Sequence, residues 1–255
     1  MIKPSNEKFF FIGIDQTGAV DSKGNPKKLS AALIVCQGRS QKYHINLHLA
    51  SLKIENIKQL IEGLGYPFKL KNVSICVDSA LGLPETYGFK IRDLIQQAQN
   101  YTFENKPYGA MTAHSFFNSF RGEKPIYFRK VEALVGANSV FKLKPFQKNI
   151  GCGTYRILKD LSYDSGWYTL WPFEQKKSQK ALICEGYPSY YWKNHFKLAN
   201  RNLNEINQLW SGLKFINQDF ADSFVLAWIM MKKKNELGKK MNSNEGWILG
   251  VPHEH

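Results

Sequence analysis

The sequence predicts an α/β fold with a mixed sheet. Three observations point there. Short apolar runs of strand length crowd the first third of the chain. A stretch with helical spacing of apolar residues separates them from a further such run. Late in the chain another apolar run is followed by a segment apolar on nearly every face. At 255 residues and 43% hydrophobic, the chain can bury a sizeable core. It has no internal repeat, low-complexity tract or Pro/Gly/Ser linker, so residues 1–255 are expected to form one domain.

Taken in order, residues 9–14 are a continuous apolar run that closes on Asp15. Residues 16–28 carry Gly18, Gly24, Asn25 and Pro26, which is turn chemistry. Residues 30–36 form a second apolar run, and residues 42–49 alternate, with Ile45, Leu47 and Leu49 apolar. Three strands joined by short turns predict an antiparallel meander. Ile54, Ile57, Leu60, Ile61 and Leu64 then recur at helical spacing, and Gly65 stops the helix. Residues 73–77 are a fourth strand ending at Asp78. Residues 82–180 mix helical pieces, loops and at least one more strand, and about 85–180 of these read as an insertion between the fourth and fifth core strands. Residues 181–184 give the fifth core strand, ending on Glu185. A helical region follows, residues 220–231 predict a buried helix, and residues 246–250 a last short strand. This is the element order of the RNase H-like fold, in which the first and fourth strands are parallel neighbours.

Composition excludes several classes. With 22% charged residues and ordinary Gly and Pro content, the chain is neither disordered nor fibrous. No apolar run approaches the roughly 18 residues of a membrane span. The opening residues lead into Asp15 without a cleavage pattern and read as a strand, so a soluble, cytoplasmic protein is expected. Cys36, Cys76 and Cys184 sit in or at the end of apolar runs, and Cys152 lies between two glycines. No Cys/His spacing suits zinc, so reduced cysteines filling a core are expected.

Lys and Arg total 35 against 21 acids, a net charge of +14. Such an excess suits a polyanion such as nucleic acid. Only 6 of the 35 are Arg, a skew that an AT-rich genome produces without selection for binding. The clusters Lys142/Lys144/Lys148, Lys176-Lys177, Lys232-Lys233-Lys234 and Lys239-Lys240 are dispersed and form no tail.

The acids are more informative. Three apolar strand runs end on one: Asp15, Asp78 and Glu185. A carboxylate at the end of a buried strand is costly unless solvent, a partner or a cation meets it, and parallel strands gather such residues at one sheet edge. Asp219 and Asp222 lie three apart on the last helix and share a face. Any one of these has an ordinary explanation as a turn or cap residue, Asp219 as an N-cap in particular. Together they suggest a site for divalent cations held by oxygen ligands, and two such ions are the usual apparatus for hydrolysing phosphodiesters.

The order of several short motifs carries a resemblance. They are Gly13-Ile14-Asp15; Val77 through Pro84; Gly136 through Phe141; Ile150-Gly151-Cys152-Gly153-Thr154; Trp171-Pro172-Phe173-Glu174; Glu185-Gly186-Tyr187-Pro188; Asp219-Phe220-Ala221-Asp222; and Glu245-Gly246-Trp247-Ile248. With these, nearly the whole chain resembles the domain family of unknown function 429, described as predicted nucleases of RNase H-like fold. The resemblance implies a Mg²⁺ or Mn²⁺ centre made of Asp15, Asp78, Glu185 and Asp222, with or without Asp219, acting on DNA or RNA. In that scheme Asp15 bridges two ions and the other acids supply outer ligands. The Asp-x-x-Asp pair also looks like that of RuvC-type Holliday-junction resolvases. Ser223 and Gln16 depart from the family pattern, which has Ala and small residues there.

Two other functions fit parts of the sequence. Asp15-Gln16-Thr17-Gly18 is similar to the first phosphate loop of actin-like phosphotransferases or ATPases, although no second such loop follows Asp78. A metal-free nucleic-acid-binding protein accounts for the charge alone. Among lesser candidates, residues 151–154 before a helix at 155–161 are a phosphate cradle or a glycine turn with a Thr cap. Tyr187, Tyr190, Tyr191 and Trp192 are base-stacking or core aromatics. His114, His195, His253 and His255 belong to no motif, and Glu245 and Trp247 are expected to anchor the C-terminal segment.

Overall fold

Strands β1 (Lys8–Asp15), β2 (Leu29–Gln37) and β3 (Ser40–Leu49) form the expected antiparallel meander. β4 (Val73–Val77) lies parallel to β1, and β6 (Ala181–Glu185) lies parallel to β4. A short strand, β5 (Tyr168–Leu170), pairs with β6 at the edge, completing a mixed sheet of order β3-β2-β1-β4-β6-β5. The structure is a computed structural model. It describes residues 7–16, 18–142, 150–175, 177–210, 212–238, 241 and 244–253. Thr17, Lys144, Lys148, Lys176, Lys239, Lys240 and His255 from the sequence reading lie outside these.

Helices cover both faces of the sheet, and the period-2 alternation of β1 explains how. Phe10, Ile12 and Ile14 point to one core, shared with α1 (Ile54–Gly63), α2 (Ile91–Ala98), α3 (Ala110–Arg121) and α5 (Ile150–Ser162). Phe11 points to the other, shared with α6 (Pro188–His195), α7 (Leu203–Leu209) and α8 (Gln218–Lys232). One further helix, α4 (Lys130–Val135), lies between α3 and α5 in the chain. The buried helix predicted at 220–231 is α8, capped by Asn217, whose side chain accepts from Phe220 N–H. Asn217 rather than Asp219 is therefore the N-cap.

Two local expectations are corrected. Residues 246–250 make no strand, only a single bridge between Ile248 and Glu185. Residues 151–154 form neither a turn nor an open phosphate cradle; they lie within α5. The glycines serve close approach instead. A side chain at Gly153 would run into that of Gln16, and one at Gly18 into Cys152. Thr154 Oγ1 accepts from the Ala80 N–H at 3.1 Å, which ties α5 to the chain leaving β4.

α8 crosses β1 at a spacing that only glycine tolerates. A Cβ on Gly13 would stand 1.9 Å from the Ser223 carbonyl oxygen and 2.4 Å from the Ala227 nitrogen, both backbone atoms that cannot swing away. Gly13→Ala is therefore expected to cost roughly 2–4 kcal/mol by forcing α8 off the sheet. Gly63→Ala, where an added Cβ meets nothing, should be neutral or stabilising by about 0.5–1 kcal/mol. Urea midpoints of the two variants compare them directly, and equal midpoints would refute the tight crossing.

A carboxylate centre at one sheet edge

The parallel register β1–β4–β6 brings three strand ends level. Ile14 is opposite Val77, and Val77 is opposite Glu185. The ladder runs one step further, with Asp78 N–H donating to the Ile14 carbonyl at 3.0 Å and Gly186 N–H to the Val77 carbonyl at 2.8 Å. Asp15, Asp78 and Glu185 thus share one edge. α8, packed on β1, adds Asp222, which is only 6% exposed, while Asp219 near its start is exposed.

Asp15 and Asp78 lie close enough to act on each other's ionisation, and the raised pKa of each implies a proton shared within the pair. Burial, then the charges of Asp78, Asp222 and Asp219, push the Asp15 pKa well above the usual carboxylate range. Burial, then the charges of Asp222 and Glu185, push Asp78 up to about 7, against the hydrogen bond with Asp15 and the charge of Arg201. Asp222 is raised by burial while Arg201, Trp192 and Gln218 hold it down. Its oxygens are well supplied. Trp192 Nε1 and Gln218 Nε2 donate to Oδ1 at 2.6 and 2.8 Å, and Arg201 Nη1 donates to Oδ2 at 3.0 Å. Deep in an apolar segment, Asp222 is expected to need a cation or a buried donor, and the fold gives it these three donors.

Glu185 stands on the same edge but is otherwise engaged. Arg129 grips it with two hydrogen bonds of 2.6 and 2.7 Å, and Leu81 N–H donates to Oε2 at 2.9 Å. Arg129 Nε also pairs with Glu132 at 2.8 Å, so one buried cation serves two buried acids. Releasing Glu185 to a cation means breaking a buried ion pair, a loss of about 3–5 kcal/mol. Glu245 behaves as the anchor expected of it: its two carboxylate oxygens accept from Glu85 N–H and Lys130 N–H, each at 2.9 Å.

A pocket of about 230 Å³ opens beside these groups, lined by Gln16, Asp78, Arg129, Glu185, Tyr187 and Arg201 among others. Gln16 Oε1 is buried with no hydrogen-bond partner. Hard oxygens, two of them on carboxyls that now need a proton between them, fit a Mg²⁺- or Mn²⁺-type ion at Asp15 and Asp78, with Gln16 Oε1 as a further donor. No three acids, histidines or cysteines among the described residues are yet close enough to chelate one. Arg129, Arg201 and Gln16 were missed as site residues. The one signal available was that two of only six arginines in a Lys-rich chain are placed here.

The remaining candidates separate by burial. Tyr191 and Trp192 are core residues, whereas Tyr187 and Tyr190 are half-buried. The described cysteines carry no disulfide, with Cys76, Cys152 and Cys184 buried and Cys36 half-buried. His114 contacts Asn118, and His195 packs against Tyr190 and Tyr191. No helix among the described residues is long and apolar enough to cross a membrane. Comparison with family models, with curated proteins and with solved structures returns no match.

The shared proton makes a pH test. Folding raises the Asp78 pKa from 3.8 to about 7, so the folded state holds more protons than the unfolded one across that interval, and stability falls as pH rises through it. Asp222, Glu185, Asp15 and Arg201 are the charged groups that set this shift. Asp78→Asn removes it. Relative to the wild type, the variant is expected to gain a few kcal/mol between about pH 4 and pH 7. Parallel urea titrations read that difference, and a pH-independent difference would refute the shared proton.

Proposed function

We propose that this chain is a divalent-metal-dependent nuclease of RNase H-like fold, of the kind its resemblance implies. The observation that carries the reading is the Asp15–Asp78 pair: two carboxyls at the ends of adjacent parallel strands, with Asp222 brought to the same edge by α8. A group that binds a proton against so much negative charge also binds a cation. The strand order supports the fold assignment, with an antiparallel meander, a fourth strand parallel to the first, and a last helix carrying an acid back to the first strand.

In this reading Asp15 and Asp78 hold the ion, with Gln16 beside them. A divalent ion there supplies Lewis acidity toward a phosphodiester and its attacking water. Asp222, now paired with Arg201, would complete the ligand set if Arg201 turned to a substrate phosphate. Asp219, exposed on the first turn of α8, tunes the charge from outside. Glu185 keeps Arg129 in place. A second ion of the kind expected from the sequence needs Glu185 free of that pair, so the geometry favours one tightly held ion. The actin-like alternative has less support: the sequence carries no second phosphate loop after Asp78.

Thermal melts with and without Mn²⁺ test ion binding, and gel assays on labelled oligonucleotides test cleavage. Mn²⁺ is expected to raise the wild-type melting temperature and to support cleavage. Asp15→Asn and Asp78→Asn should lose both, with cleavage down by at least about a hundredfold. Asp219→Asn should lose less than about tenfold. A wild type whose melting is indifferent to Mn²⁺ and Mg²⁺, and which cuts nothing, refutes the proposal.

A further inference from the structure

The pocket beside the acids does not end at Arg201. A second depression of about 460 Å³ shares Tyr187, Ser189 and Arg201 with it, so the two adjoin along those residues. α4 supplies one wall of the extension through Leu134 and Val135. α6 supplies the other through Tyr190, Lys193 and Asn194.

The two ends differ in charge. Asp78, Glu132 and Glu185 line the inner end together with Arg129 and Arg201, whereas Lys193 and Arg201 line the outer end, where no carboxylate contributes among the described residues. Arg201 stands at the junction, on a loop residue held at φ 47°, in the left-handed region that a non-glycine residue adopts at a cost. The outer end carries more than charge. Leu134 is 51% exposed, an isolated large apolar side chain facing the groove, and Tyr190 is half-buried on the other wall. Cations at phosphate-contacting positions, interleaved with an aromatic ring and an apolar side chain, match a polyanion whose bases are unpaired. A cavity of this volume is of small-ligand size. It has room for about one or two nucleotides of extended strand. A duplex hides its base faces inside the stack and cannot use Tyr190 or Leu134.

Resting on the nuclease reading for its direction, we infer that the groove between α4 and α6 is a track for single-stranded nucleic acid leading past Arg201 to the carboxylate centre. Lys193 and Arg201 contact successive phosphates, and Tyr190 and Leu134 hold a base between them. The outer end needs no ion to attract a strand, whereas at the inner end Arg129 is committed to Glu132 and Glu185. Binding and cleavage therefore separate.

Fluorescence anisotropy in EDTA measures the binding alone, with labelled oligothymidylate and oligouridylate of about twelve nucleotides, and a blunt hairpin duplex as competitor. Either single strand is expected to bind at least about tenfold more tightly than the hairpin. Tyr190→Ala should weaken binding roughly tenfold, the usual scale for one lost stack. Lys193→Gln, a change at an exposed position, should lower the slope of log affinity against log salt by about 0.7, one phosphate contact. Lys58→Gln on α1, outside the groove, should change nothing at either wall. Equal or tighter binding of the hairpin, or wild-type affinity and salt slope in both groove variants, overturns the track. Mn²⁺-dependent cleavage is scored separately. Strand binding lost in the groove variants, with no cleavage by the wild type, keeps the track and rejects the nuclease. Cleavage with unchanged binding in both variants does the reverse.

Discussion

Everything at the acidic edge depends on the contact between the backbones of β1 and α8. Gly13 has no side chain, and the Ser223 carbonyl and Ala227 nitrogen occupy the space that a Cβ would fill. This lets a helix apolar on nearly every face lie flat on the middle of the sheet, with Phe220, Phe224 and Ala227 buried against β1 and β2. Asp222 immediately precedes the residue whose carbonyl touches Gly13. Its distance from Asp15 is thus fixed by main-chain packing, not by the rotamers of long side chains. A site held this way varies little with side-chain motion, which is what placing several like charges around one point requires.

The carboxylates are a burden on the fold as it stands. Asp15, Asp78 and Asp222 all have raised pKa values, and burial is the leading cause for each. The protein relieves the strain with three different positive partners. The raised pKa values of Asp15 and Asp78 favour a proton on that pair, Arg201 pairs with Asp222, and Arg129 pairs with Glu185 and Glu132. They differ in how easily they leave. The proton exchanges freely, Arg201 is 39% exposed at its side chain and can turn outward, and Arg129 is sealed at 2%. That gradient sorts the acids into those open to a cation and those committed to structure, a distinction invisible in a count of acids alone.

The five core strands β1–β4 and β6, together with α1 and α8, were legible because their apolar patterning is strong, and the three strand-end acids because each interrupts a buried run. The roles of those acids were not. Glu185 and Asp78 look alike in sequence, each an acid after an apolar run, and the difference lies in Arg129, which is 56 residues away from Glu185 and belongs to the insertion. Asp222 had no visible partner because Trp192 and Arg201 are brought to it by α6 and the loop after it. The glycines of residues 151–154 misled for a related reason. Glycine in a sequence signals a turn, but at Gly153 it makes room for a side chain from another element, Gln16. Local spacing reports what an element is, whereas long-range pairing decides what its polar residues do.

Glu245 has a consequence for how the chain is divided. One carboxylate oxygen accepts from Glu85 at the start of the insertion and the other from Lys130 in its middle, while the Glu245 carbonyl accepts from Arg129 at 3.3 Å. A residue near the end of the chain thus closes the loop between Glu85 and Lys130, and the same Arg129 fastens that loop to β6. The insertion is therefore not a cassette. Swapping it for another would strand Glu245 and Glu185 together, and trimming the C-terminal segment would unclasp α4 and with it one wall of the groove. Any diversification of this region has to proceed in concert at three places remote in sequence: residues near 85, near 130 and near 245.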